Sequence, residues 1–192
     1  DGPAAAASQI ITGDGTFGIS TRGAGDLNGD GYADIVIGNP GGQLFVVHYG
    51  GPDGLDVTEP LTVTGPTTNF GLSVAGAGDV NGDGYGDLVV SAKDKAFVYH
   101  GSGDGLTPEP AVTLEGPLGT QFGDSVAALG DTNGDGFDDL GVGAPSGASA
   151  YAYLGSDEGL PLDWDILMTA GEPAEDEPGN EGYGFSVGHS VR

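Results

Sequence analysis

The sequence predicts an all-β fold, a β-propeller of four-stranded antiparallel blades, of which the chain holds about three blades and a stub. Three observations predict it. A nine-residue acidic loop recurs, beginning at Asp26, Asp79 and Asp131, at intervals of 53 and 52 residues. Each copy runs into a β-branched apolar segment, and an aromatic–glycine pair precedes each: Phe17-Gly18, Phe70-Gly71 and Phe122-Gly123. No stretch carries sustained helical periodicity. A period of about fifty residues suits one propeller blade, and a β-sandwich does not require three matching copies.

Each unit reads as four short strands. The first contains Ser20-Thr21, Ser73-Val74 or Ser125-Val126 and leads into the loop. The second leaves it as Ile35-Val36-Ile37, Leu88-Val89-Val90 or Leu140-Gly141-Val142. The third is Leu44–Tyr49, Ala96–His100 or Ser149–Tyr153, closed by a glycine turn and Gly54-Leu55, Gly105-Leu106 or Gly159-Leu160. The fourth is Leu61–Thr64, Ala111–Leu114 or Ile166–Thr169, with a spare copy at Gln9–Thr12. Val, Ile, Thr and aromatic residues fill these runs, and Gly, Pro, Asn and Asp punctuate them. The reading gives a single partial propeller domain over 1–192. Its units cover about 9–60, 61–113 and 114–170, followed by an acidic loop at 171–182 and a truncated fourth unit at 183–192 that Tyr183-Gly184 opens.

Composition narrows the function. Of 192 residues, 37 % are hydrophobic and 17 % charged, which suits a folded domain. The 40 glycines follow no Gly-X-Y period, so they serve turns and loops and not a collagen helix. Asp and Glu outnumber Lys and Arg by 29 to 4, a formal net charge of −25. That excludes nucleic acid as the expected partner, because phosphate binding needs clustered cations, and disfavours anionic membrane surfaces. Cations are the natural partners. The absence of cysteine removes disulfides, zinc–thiolate sites and thiol catalysis. No apolar run approaches membrane-spanning length, so no membrane insertion is expected. With Asp1 at its start and no signal-like segment, the sequence is read as a mature or excised form.

The loops carry the chemistry. Hard cations such as Ca²⁺ take six to eight oxygen ligands in flexible geometry. Positions 1, 3 and 5 offer side-chain oxygens, position 6 is a turn glycine, position 7 offers its carbonyl, and position 9 is expected to close the cage. The ligands are thus Asp26, Asn28, Asp30, Tyr32 and Asp34 in the first loop, and Asp79, Asn81, Asp83, Tyr85 and Asp87 in the second. The third offers Asp131, Asn133, Asp135, Phe137 and Asp139. Three Ca²⁺ per chain are expected. An EF-hand and a dockerin are excluded because position 12 is Ile37, Val90 or Val142 in place of Glu, and the flanks are strands. Carboxylates crowded into one turn repel one another, and calcium converts that repulsion into a clamp between strands one and two.

Phe-Gly-x-Ser, the Gly-Asp-x-Asn-Gly-Asp-Gly-aromatic-x-Asp loop and the Gly-Ala-Pro after strand two resemble the FG-GAP repeats of the integrin α-subunit β-propeller and its bacterial relatives. The last element is intact at Gly143-Ala144-Pro145, close at Gly38-Asn39-Pro40, and replaced by Ser91-Ala92-Lys93, where a different turn is expected. The resemblance covers nearly the whole chain. It implies a seven-bladed propeller with calcium in loops between the first two strands of certain blades. It also implies a secreted or cell-surface location, and recognition or adhesion in place of catalysis. Three blades and a stub fall short of the four to eight that close a propeller. Two completions are open: missing blades of a longer propeller, or a homo-oligomer, most simply a dimer. The expected ligand is a protein or cell-surface group; the alternatives are a glycan, as for an FG-GAP-type lectin, or a structural half-propeller whose role is self-assembly.

His48 and His100 occupy matching third-strand ends and are read as structural; His189 lies in the truncated unit. Arg22 stands on an inner strand where the other units have Ala75 and Ala127, either lining the channel or pairing with an acid. Trp164 and Tyr183 are aromatics for sugar stacking or, in the preferred reading, for packing. No Ser/His/Asp arrangement points to catalysis.

Overall fold

The computed structural model describes residues 10–170 and 185–189. Its strands fall into three antiparallel sheets that follow chain order. The first holds β1 (Ser20–Gly25), β2 (Asp34–Asn39), β3 (Leu44–His48) and β4 (Leu61–Thr64). The second holds β5 (Val74–Gly78), β6 (Asp87–Ala92), β7 (Lys95–Tyr99) and β8 (Val112–Glu115). The third holds β9 (Ser125–Gly130), β10 (Asp139–Ala144), β11 (Ser149–Tyr153) and β12 (Ile166–Ala170), with β13 (Phe185–His189) alongside β12. Sequential strands pair as meanders, which is the four-stranded blade expected from the sequence, three times over. A single 3₁₀ turn, Pro145–Gly147, is the only helical element among the described residues.

Three features differ from the sequence expectation. Residues 185–189, expected to begin the inner strand of a further unit, pair with β12 as a fifth strand, Ala170 opposite Phe185. Ile10–Thr12, expected as a spare fourth strand, carry no ladder; they lie beside Val46, His48 and Thr62. The β6–β7 turn is two residues, Lys93-Asp94, where the other blades use four, and this shifts register. His48 sits opposite Ile35 while Tyr99, not His100, sits opposite Leu88. Ile35 and Leu88 occupy the same loop-relative place, so the two histidines do not match: a one-residue slip puts them on opposite faces. The acidic stretch 171–182, Tyr183 and Gly184 lie outside the described residues.

The core lies between blades. Leu88, Val90, Phe97 and Tyr99 of the second blade pack against Val36, Phe45 and Val47 of the first. Val89, Ala96 and Val98, on the other pleat face, pack against Leu140, Val142, Tyr151 and Tyr153 of the third. Every residue of β6 is therefore buried, which is why its sequence is continuous and not alternating. Aromatic edges seal each joint, with Phe45 on Tyr99 at 5.2 Å and Phe122 on Tyr151 at 5.3 Å between centroids.

Each inner strand carries one bulge, at Ala24, Ala77 and Leu129, followed by a glycine at φ of 78°, 79° and 72°. The bulge turns the chain into the acidic loop and aims its extra residue at the next blade: Gly76 lies so close to the Ala24 backbone that a methyl there would sit 2.9 Å away.

Candidate metal centre

The three loops fold alike because the same polar groups bind the same amides. Asp26 Oδ1 accepts the Gly29 and Asp30 N–H groups at 2.7 and 3.1 Å, and its Oδ2 accepts the Gly31 N–H at 2.8 Å. Asn28 Oδ1 accepts the Asp30 N–H at 3.2 Å, and Asp30 Oδ1 accepts the Tyr32 N–H at 2.9 Å. The second loop repeats this with Asp79 on Asp83 and Gly84, Asn81 on Asp83, and Asp83 on Tyr85. In the third, Asp131 binds Gly134, Asp135 and Gly136, Asn133 binds Asp135, and Asp135 binds Phe137. Two glycines per loop make this winding possible; in the first, Gly29 and Gly31 have φ of 73° and 88°.

The donor chemistry of positions 1, 3, 5 and 9 suits a hard divalent cation: carboxylate and amide oxygens, with no nitrogen or sulfur ligand among them. Their side chains nevertheless stand on amides, not on one shared point. Asn28 Nδ2 donates to Asp30 Oδ2 at 3.1 Å, Asn81 Nδ2 to Asp83 Oδ2 at 2.9 Å and Asn133 Nδ2 to Asp135 Oδ2 at 2.7 Å. Among the described residues, no three acidic, histidine or cysteine side chains form a preformed metal group. For these side chains to converge on one cation, the Asn–Asp links would have to open, while the backbone winding is already in place.

Position 9 is a buried strut. Asp34 Oδ2 accepts the Leu27 N–H at 2.8 Å and its Oδ1 accepts the Gly50 N–H at 2.7 Å. Asp87 ties Val80 to Gly101 in the same way, and Asp139 ties Thr132 to Gly155. One carboxylate thus joins the acidic loop to the glycine turn after strand three. Those glycines were not singled out in the sequence; their constant distance beyond the third strand is the signal that could have found them. Burial pushes the Asp87 carboxyl up to about 7, two amide bonds oppose it, and the Asp83 and Asp79 charges add to the rise. Burial raises Asp34 as well, with Asp30 and Asp26 adding. Asp131, fully exposed, is instead held below the usual carboxylate range, chiefly by the Gly136 amide.

The loops also hold the blades together. The Asp26 carbonyl accepts the Gly86 N–H at 2.9 Å and the Leu27 carbonyl accepts the Ser102 N–H at 3.1 Å. One blade on, Asp79 and Val80 accept Asp138 and Ser156 at 3.0 and 3.2 Å. Asp138 Oδ2 accepts the Asp79 N–H at 2.8 Å in return, a bond the sequence reading did not foresee. The position-7 rings complete each joint: Tyr85 covers Gly29 and Phe137 covers Gly82, while Tyr32 is exposed.

A profile of the FG-GAP-like repeat matches residues 26–90 and 79–142, more than half of the chain. The chain belongs to the FG-GAP-like repeat family. This FG-GAP chain is 37 % identical over 141 residues to integrin alpha-7 of Mus musculus, covering 65 % of the chain and 12 % of that protein. It is 36 % identical over 157 residues to integrin alpha-PS5 of Drosophila melanogaster, covering 71 % and 16 %, and 36 % identical over 136 residues to integrin alpha-6 of Homo sapiens, covering 63 % and 12 %. It thus spans less than a fifth of the length of these curated relatives. Among the described residues no helix is long and apolar enough to cross a membrane.

The remaining FG-GAP side chains take structural places. His48 is buried and its Nδ1–H donates to the Asp56 carbonyl at 2.8 Å. Arg22 is exposed and donates to the Thr21 carbonyl at 2.9 Å, a backbone partner and not the acid expected. Trp164 packs edge-on against Tyr151 at 5.0 Å beside the core of blades two and three, so it is no open sugar platform. Tyr183 and the His189 side chain lie outside the described residues.

Proposed function

We propose that this FG-GAP chain is a calcium-stabilised, integrin-like propeller module that presents a rigid surface for extracellular recognition or adhesion, its ligand a protein or cell-surface group. The observation that carries the reading is the threefold recurrence of one loop winding, at the same end of each blade, with an all-oxygen donor set. Asp26, Asn28, Asp30 and Asp34 would hold the first ion with the Tyr32 carbonyl. Asp79, Asn81, Asp83, Asp87 and Tyr85 would hold the second, and Asp131, Asn133, Asp135, Asp139 and Phe137 the third. The ion supplies charge neutralisation where three carboxylates crowd one hairpin. The protein supplies the fixed backbone and the inter-blade bonds that transmit the stiffness. The module is read as non-catalytic and as secreted or displayed at the cell surface, on its likeness to integrin α chains.

Thermal unfolding in calcium and in chelator tests this. Each independent site adds about 2.7 kcal/mol at roughly 100 Kd of calcium. Unchanged unfolding temperatures with and without calcium would sink the reading. Self-association is a second reading, favoured by the exposed Tyr32 at one end of the stack and Leu129 at the other.

A further inference from the structure

The two joints between blades are built alike at the acidic loops, apart from one side chain. At both, the residue after position 7 donates its N–H back to the preceding loop: Gly86 to the Asp26 carbonyl at 2.9 Å, Asp138 to the Asp79 carbonyl at 3.0 Å. At both, a position-7 ring covers a turn glycine, Tyr85 over Gly29 and Phe137 over Gly82. Position 8 itself differs, being Ala33, Gly86 and Asp138 in the three blades. Asp138 Oδ2 accepts the Asp79 N–H at 2.8 Å in a partly buried place. Its carboxylate lies over Gly78, where an added methyl would strike it, whereas a methyl on the corresponding Gly25 meets no atom within 4 Å.

Asp138 therefore grips Asp79 at both its N–H and its carbonyl. One bond leaves a residue free to turn about it; two fix its direction, and the one to the carboxylate is charge-assisted. Asp79 in turn winds the second loop, its carboxylate accepting the Asp83 and Gly84 N–H groups at 3.1 and 2.8 Å. At its other end Asp138 belongs to the third loop. Its N–H shares one planar peptide unit with the Phe137 carbonyl, the group assigned to the third ion. Asp139 follows it, anchored on the Thr132 and Gly155 amides. The setting of the Phe137 peptide thus sets the direction of Asp79. At the joint between blades one and two the same relay ends in a single bond on Asp26, because Gly86 has no side chain to hold the Asp26 N–H.

We propose that Asp138 is a positioning residue that couples the second and third calcium sites, so that filling loop three pre-orders loop two. The inference rests on the calcium reading proposed above. Coupling between sites is reciprocal, so each ion strengthens the binding of the other by the same factor, about fivefold. The bond pattern makes this a property of Asp138 and not of neighbouring loops in general, since the joint between loops one and two lacks the second tie.

The test is calorimetric titration with calcium chloride on the whole chain carrying Asp30→Ala, which leaves loops two and three, with circular dichroism to confirm folding. Adding Asp135→Ala leaves loop two alone, and its calcium affinity is expected to fall about fivefold with the third ion gone. Asp138→Ala, which places at position 8 the residue that blade one already has there, is expected to abolish that difference. Asp138→Asn is expected to keep it, because the amide oxygen still accepts the Asp79 N–H. Loop-two affinity that is the same with and without Asp135→Ala overturns the coupling and leaves the calcium reading standing. Coupling that survives Asp138→Ala, or that Asp138→Asn also removes, overturns the positioning role of the Asp138 bond. No calcium uptake by any of these chains, or by the unaltered one, overturns both the coupling and the proposed function.

Discussion

The ring of Tyr85 lies over Gly29: a methyl group added at Gly29 would sit 2.6 Å from Tyr85 Cε1. Two neighbouring blades thus meet through the acidic loop of one and the loop exit of the other, so loop geometry and blade packing are a single property.

Alanine at Gly29 therefore costs more than alanine at Gly134. Both have left-handed φ, 73° and 78°, and share a penalty of about 1–2 kcal/mol. Only Gly29 also meets a ring, which adds roughly 1–3 kcal/mol. Urea midpoints of the two variants check this; equal losses would show that the ring yields freely.

Asp87→Ala is expected to destabilise the protein by about 2–5 kcal/mol even in chelator. It leaves the Val80 and Gly101 amides without their buried acceptor. If Asp87 acted only as a calcium ligand, the loss would vanish without calcium.

Asp30→Ala is expected to remove one bound calcium per chain with little effect on chelator-treated stability, because Asp30 is exposed. Calorimetric titration reads the stoichiometry. An unchanged ion count refutes the ligand assignment of the first loop.

His100 carries the pH prediction. Its Nε2 is buried with no partner among the described residues, and burial lowers its pKa below 6.5 against the Asp83 and Asp79 charges. As pH falls below about 6.5 the unfolded chain takes up a proton that the folded chain resists, so this group weakens the fold at acid pH. His100→Tyr puts a hydroxyl where Tyr49 stands one blade earlier, within the kind of reach that serves Leu106. The variant is expected to gain about 1 kcal/mol, or about 2–4 °C, with the gain larger at pH 5 than at pH 8. Equal gains at both pH values would contradict the histidine account.

Much of this was legible in the sequence. Strand runs such as Leu61–Thr64 and Ser149–Tyr153 stand as read, because turn chemistry brackets them and β-branched or aromatic residues fill them. The loop positions were legible because glycine and Asx spacing dictates one winding. The histidine mismatch was not, since it depends on a two-residue turn at Lys93-Asp94 that resets the register of one strand. Asp34 reads as a ligand from its spacing alone. Its amides come from Leu27 and from Gly50, sixteen residues on, and a local motif does not show the second. The bond from Asp79 to Asp138 spans two blades and is a property of the stack.

Native mass spectrometry in a calcium-containing volatile buffer tests the central claim most directly, because it counts ions per folded chain. The account predicts that binding saturates at three calcium ions per chain. A plateau below three would contradict it.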